Sequence, residues 1–291
     1  MTGEFLFVFN GDCALEGFRE SRCPLEGELL SWKEVYTEGP LPCHVTLEEF
    51  RKIRAGFLAD SPAPAGLTPA QLEKHLKRME ETLFSQWKKG GETVLFLDAC
   101  MFDQGIFARL LFLAEYFRKT EKLFPCLFFT CRDMIYSKEA PFMELYAERQ
   151  KAGEELLNMA EEIWNSYASC SLPGKELLEK LPPFLRKGLL RRAEENPSLN
   201  KYYLTRTERE LLFLLQKRGM KGETALNLFT GLDALEEFPF LGDTGCWRLL
   251  ESLRKRKFLH SPLSRAIPAF TFEELAEERL MPTPLLLEME L

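Results

Sequence analysis

Apolar residues gather in short runs that empty into polar turns. Residues 4–9 (EFLFVF) are apolar on both faces, as strands of a parallel sheet are, and they lead straight into Asn10-Gly11-Asp12-Cys13. A helical pattern starts at Ala14 and continues to Glu20. A short second strand is expected around Leu29–Ser31, followed by a loop ending in Gly39-Pro40 and Pro42. Residues 46–58 read as a helix opened by Thr46 and Glu49 in capping-box spacing. After the Pro-rich connector 60–69, another helix starts at Thr68-Pro69, with proline at its first position, and runs to Lys88 before Gly90-Gly91.

Residues 93–117 (TVLFLDACMFDQGIFARLLFLAEYF) repeat the opening theme. A strand of apolar residues ends at Asp98, a polar turn follows, and a long amphipathic helix is expected from near Asp103. Residues 124–131 supply another strand. Strands alternating with helices in this order predict a parallel, Rossmann-like sheet with helices on its faces. From Ala140 the pattern turns helical, with 143–168 reading as one long helix and 172–197 as two shorter ones around Pro182-Pro183.

The last third predicts three helices: 204–219, with Thr205 and Glu208 as a capping box, then 223–229 and 242–259. A short apolar return, Phe258-Leu259, comes after them, and this is the outline of a winged helix. The expected organisation is α/β: a parallel-sheet domain over 1–138 and a helical connector over 139–203. An all-helical, winged-helix-like domain over 204–265 and a tail over 266–291 complete it.

Composition agrees with a globular chain: 45% of the 291 residues are hydrophobic and 29% charged. No apolar run reaches the roughly 18 residues that a membrane span needs, and no secretory leader is recognisable, so the expectation is a cytoplasmic protein without a membrane partner. None of the eight cysteines forms a C-x-x-C pair, and there are only three histidines, which speaks against a zinc site. The net charge of −7 disfavours nucleic-acid binding through the average field. A local basic patch remains: Arg248, Arg254, Lys255, Arg256, Lys257 and Arg265 stand against Glu251 alone. Its cations also lie where they would complement a helix C-terminus.

In open α/β sheets, ligands bind outside the carboxyl ends of the strands. Asp12 follows the first strand, Asp98 and Asp103 the later one, with Cys13 and Cys100 beside them. If those strands are neighbours, the five side chains border one crevice. Three carboxylates there would suit Mg²⁺ or Mn²⁺. Gly11 would allow close backbone approach, and the helix from Ala14 would offer N–H groups to an anion. The competing reading is that Asp12 and Asp103 only cap their helices. Neither a dinucleotide-type glycine loop nor a GxxxxGK[ST] loop is present.

FNGDCALEGFRE, SWKEVYTEGPLP and VLFLDACMFDQGIFARLLFLAEYF together resemble the bacterial DUF1835 domain family, whose function is unknown. LTRTERELL and FLGDTGCWRLLESLRK resemble the DUF3658 domain. The resemblance implies an α/β domain followed by a helical one and no particular activity. The motif positions it carries over are Asn10, Gly11, Asp12, Trp32, Glu38, Gly39, Pro40, Asp103 and Gln104, then Gly242, Asp243, Thr244 and Trp247. Family members commonly have Ser at the position of Cys13 and an acid at that of Cys100.

Two functions are therefore in view. One is a small-ligand-binding or enzymatic α/β domain acting on a phosphorylated or nucleotide-like compound. Its site would lie around Asp12, Asp98 and Asp103, with Glu38 and Trp32 as a polar group and an apolar wall. The other is a non-enzymatic regulatory module whose C-terminal domain contacts DNA or a protein through Asp243, Thr244, Trp247 and the run Arg254–Lys257.

Overall fold

The computed structural model describes residues 4–60, 67–132, 138–237, 239–261 and 279–291. The middle of the Pro-rich connector, Arg265 and the first half of the tail lie outside the described residues. The chain forms two compact units, one of Met1–Leu58 with Leu67–Ala193 and one that takes in Glu194–Leu291.

The first unit opens β1 (Phe5–Asn10), α1 (Gly11–Glu20), β2 (Glu28–Trp32), α2 (Leu47–Ala59), α3 (Pro69–Lys88), β3 (Glu92–Leu97), α4 (Met101–Glu121) and β4 (Cys126–Cys131). The order across the sheet is β2-β1-β3-β4-β5. The first four strands are parallel, and β5 (Gln150–Lys151) joins the edge antiparallel to Phe128 and Phe129.

Strands apolar on both faces require a cover on both. On one face Phe7, Phe9, Val94 and Phe96 pack with Phe18 of α1 and with Phe142. On the other, α3 anchors to the sheet through Trp87, whose Nε1 donates to Thr93 Oγ1 at 3.0 Å. There too, Phe107 of α4 lies 4.5 Å from the Phe129 ring, centroid to centroid. The helix α4 is not amphipathic as expected: Phe107, Leu110, Leu111, Leu113 and Ala114 are all fully buried, because other helices cover the side turned away from the sheet.

The segment 143–168 is not one helix. It divides into α5 (Phe142–Ala147), β5, α6 (Glu154–Asn158) and α7 (Ala160–Ala168). Arg149 reaches Glu92 at 2.7 Å, Ala152 N–H donates to Leu127 O, and Gly153 starts α6 in an extended conformation. Pairing with the sheet edge thus overrides a helical pattern that looks continuous locally. Helices α8 (Lys175–Lys180) and α9 (Pro183–Ala193) flank the Pro182-Pro183 break as expected.

The second unit contains α10 (Arg206–Arg218), β6 (Glu223–Thr224), α11 (Ala225–Asp233), α12 (Asp243–Lys255), β7 (Leu259–His260), β8 (Arg279–Pro282) and α13 (Pro284–Leu287). It is not all-helical: the three short strands form an antiparallel sheet in the order β6-β8-β7. Strands of two to four residues are too short to show a clear periodicity. Leu211, Leu215, Leu228, Trp247, Leu250, Leu253 and Leu280 share its core. Among the described residues no helix is long and apolar enough to cross a membrane.

Candidate functional site

The chain runs from β1 to β2 on one side and from β3 to β4 on the other, through α1 and α4 on opposite faces. The switch in direction therefore falls between β1 and β3, and a crevice is expected beyond their carboxyl ends. The neighbourhood of β1 and β3, with Phe9 in register with Phe96, brings Asn10 beside the turn after β3.

Asn10 and Cys100 are the N-caps of α1 and α4, neither with a side-chain capping bond; Asp12 and Asp103 are not the caps expected of them but lie in the first turns. The Asn10 amide donates instead to the Asp103 carboxylate, 93 residues away. Asp103 Oδ2 also accepts the Asp98 N–H at 2.6 Å, and the Cys100 thiol lies 3.3 Å from Oδ1. Asp98 Oδ1 accepts the Cys100 N–H at 3.3 Å, and Gln104 Nε2 donates to Ala99 O at 2.8 Å. One carboxylate therefore ties the ends of β1 and β3 to the start of α4.

Asp103 is fully buried. Loss of solvation pushes its carboxyl up to about 7, against the pull of the Asp98 N–H, Asn10 and Cys100, while the charge of Asp98 adds to the rise. Enclosed in this way, Asp103 ties the ends of β1 and β3 together and has no exposed surface to offer a ligand. Asp98, 8% exposed, lies nearer the surface.

Asp12 goes elsewhere. Its Oδ2 pairs with Lys33 Nζ at 2.7 Å, both side chains about half exposed. The Lys33 hydrogen bond holds its carboxyl below the usual range. His75 is nearby, lowered first by burial and then by the Lys33 charge. Cys13 is exposed and Cys100 buried. Among the described residues no group of three or more His, Cys, Asp or Glu side chains is placed to hold a metal ion. The expectation of Mg²⁺ or Mn²⁺ on Asp12, Asp98 and Asp103 is therefore not met, because one acid is committed to a strand-end tie and another to a lysine.

The loop after β2 is held from below. Trp32 is buried, in register with Asn10, and its Nε1 donates to Tyr36 Oη at 3.2 Å. Arg54 of α2 has no exposure, yet it bonds both oxygens of Glu34, at 2.5 and 3.2 Å. It also donates to the carbonyls of Val35, Glu38 and Pro40 at 2.7, 2.7 and 3.2 Å. Arg192 donates to Thr37 O at 2.8 Å. Gly39 turns with φ +71°, and a Cβ there would lie 2.6 Å from the Phe57 ring. Tyr36 packs on Gly105 of α4, where a Cβ would come within 3.0 Å of the tyrosine Cβ. The sheet-end site is thus walled by a pinned loop, to which Glu38 contributes its carbonyl.

Sequence reasoning missed Lys33, His75, Arg54 and Arg192. Arg54 left a readable signal: it occupies a position, between Phe50 and Phe57, where the helix stripe calls for an apolar residue.

In the second unit Trp247 belongs to the core, at 4% exposure. Gly242 caps α12; Asp243 opens it, with its side chain outside the described residues, and Thr244 follows in the first turn. The basic run is partly consumed internally. Arg254 and Lys255 both reach Glu251, at 2.7 and 3.8 Å, and Arg256 reaches Glu208 at 2.6 Å and the Tyr203 carbonyl at 3.3 Å. Lys257 has φ +64° and closes the turn into β7.

The chain matches no protein-family model and no curated protein.

Proposed function

We propose that the first unit is a ligand-binding or enzymatic α/β domain for a phosphorylated or nucleotide-like compound, bound where β1 and β3 end. The observation that carries this reading is the strand order β2-β1-β3-β4, which sets a change of direction at the one place where Asn10, Asp98 and Asp103 meet. Gly11, with φ +70° and open space beyond its Cα, leaves room for close approach to the first turn of α1. A phosphate there would meet the helix N–H groups and compete with Asp12 for Lys33. The stretches that resemble DUF1835 include Asn10, Gly11, Asp12 and Asp103, and the reading extends to that resemblance without assigning a reaction.

The test is a thermal-shift screen of the full chain against nucleotides, sugar phosphates and inorganic phosphate, with Lys33→Met alongside. A compound at 100 times its Kd adds about 2.7 kcal/mol of stability, a rise of a few degrees. A shift lost in Lys33→Met supports the reading, and no shift with any compound defeats it.

A second reading is favoured by one observation in the other unit. The order α10-β6-α11-α12-β7-β8, with β8 between β6 and β7, supports reading this unit as winged-helix-like. Such a module would contact DNA or a protein through Thr244 and the basic end of α12. Neutralising Arg254, Lys255 and Lys257 should then weaken DNA binding and flatten its salt dependence. Unchanged binding removes the patch from consideration.

A further inference from the structure

Two polar atoms beside the Asp12–Lys33 pair are left without use. The hydroxyl oxygen of Ser31, on β2, is shut off from solvent, and so is Nε2 of His75, on α3; neither makes a hydrogen bond among the described residues. The helix α3 reaches this place because the Lys33 N–H donates to Met79 Sδ at 3.4 Å, and His75 lies one helical turn before Met79 on the same face. Buried polar atoms are nearly always paired, because an unpaired one has lost its water and gained nothing in exchange.

The Asp12 carboxylate is the neighbour that Lys33, Ser31 and His75 share. It bonds Lys33 Nζ at 2.7 Å, lies beside the Ser31 hydroxyl outside hydrogen-bonding geometry, and acts on His75 through its charge. Two carboxylate oxygens in one plane thus engage one of these donors, whereas a tetrahedral anion has an oxygen for each. The pair is also a weak closure: both side chains are about half exposed, and surface pairs of this kind contribute little. The charges acting on His75 are Lys33 from the end of β2, Arg78 from its own helix and Asp12 from α1, so that displacing Asp12 leaves a cationic surrounding.

We infer that a terminal phosphate group takes the place of the Asp12 carboxylate, its three unesterified oxygens on Lys33 Nζ, Ser31 Oγ and His75 Nε2. Asp12 is then a resident competitor that turns outward when the phosphate binds. Phosphate monoesters are selected over diesters, which have only two such oxygens. The inference rests on the reading that the first unit binds a phosphorylated compound, and it adds which kind of phosphate and which donors.

The test is titration of the full chain with methyl phosphate and with dimethyl phosphate, followed by calorimetry and by the NMR resonances of the three histidines. Methyl phosphate should bind about tenfold more tightly than the diester, and Ser31→Ala and His75→Ala should each weaken it about tenfold. On binding, the His75 resonance should move and its titration should shift to higher pH, because a neighbouring anion favours the imidazolium. The deciding variant is Asp12→Asn, at an exposed position where folding is not at stake. Removing the competitor should tighten methyl phosphate binding by about fivefold. Unchanged or weaker binding in Asp12→Asn, or equal affinity for the two esters, overturns the inference. A phosphorylated compound whose thermal shift depends on Lys33 but survives both Ser31→Ala and His75→Ala overturns it while leaving ligand binding by the first unit in place. Absence of binding by every phosphate compound removes both.

Discussion

Replacing Asp103 by asparagine removes a buried charge while keeping the shape of the side chain, and its effect on stability should depend on pH. In the folded protein this carboxyl titrates near 7, raised from 3.8 chiefly by loss of solvation. The folded state therefore holds the proton to a higher pH than the unfolded chain does. Linkage then requires that stability be greatest below about pH 4, fall as pH rises from about 4 to about 7, and level off above. At about 1.4 kcal/mol per pH unit, this one group withdraws ~4 kcal/mol across that window. Its full burial leaves no solvent screening to discount.

An amide does not titrate, so Asp103→Asn loses this slope. It must also turn an NH₂ group towards one of the donors, the Asn10 amide or the Asp98 N–H, at a cost of about 1–3 kcal/mol that is independent of pH. Urea unfolding of both proteins at intervals from pH 4 to pH 8 measures the two contributions separately. The parent should be the more stable at the acidic end, and the gap should close or reverse by pH 8. Titrating groups not coupled to Asp103 cancel in the difference between the curves. Parallel curves would refute the account of Asp103 as a buried carboxylate held charged only at a cost.

Two further outcomes test the frame of the site. Arg54→Met leaves the Glu34 carboxylate buried without its guanidinium and should destabilise the first unit by about 3–5 kcal/mol in denaturant unfolding. The double variant Arg54→Met/Glu34→Leu should recover part of that loss, and a double variant as unstable as the single one would contradict it. Gly188→Ala would drive a Cβ into Gln104 Oε1, so it should cost about 1–3 kcal/mol. Combined with Gln104→Ala, the losses should be less than additive, and strict additivity would show that the two residues do not oppose each other.

The parts legible in the sequence are those whose cause is local. The apolar runs of β1 and β3 have to be covered on both faces, and the capping boxes Thr46/Glu49 and Thr205/Glu208 form as their spacing requires. The parts that were not legible depend on partners far along the chain. Nothing within 143–168 shows that Arg149 will find Glu92 and draw Gln150 and Lys151 into the sheet. The same holds at the site. Asp12 and Asp103 stand at equivalent places after two similar strands, and sequence alone treats them alike. Asp103 reaches back to Asn10 and the Asp98 N–H because α4 begins above the β1–β3 junction, whereas Asp12 meets Lys33 from the end of β2. One acid is thereby spent on tying the strand ends together, and the other remains exposed beside a cation. The division explains why the polar pattern occurs twice yet, among the described residues, gathers no three acids around a metal. It also directs a search for ligands to Gly11, Asp12 and Lys33, with Asp103 read as the support that keeps those positions in register.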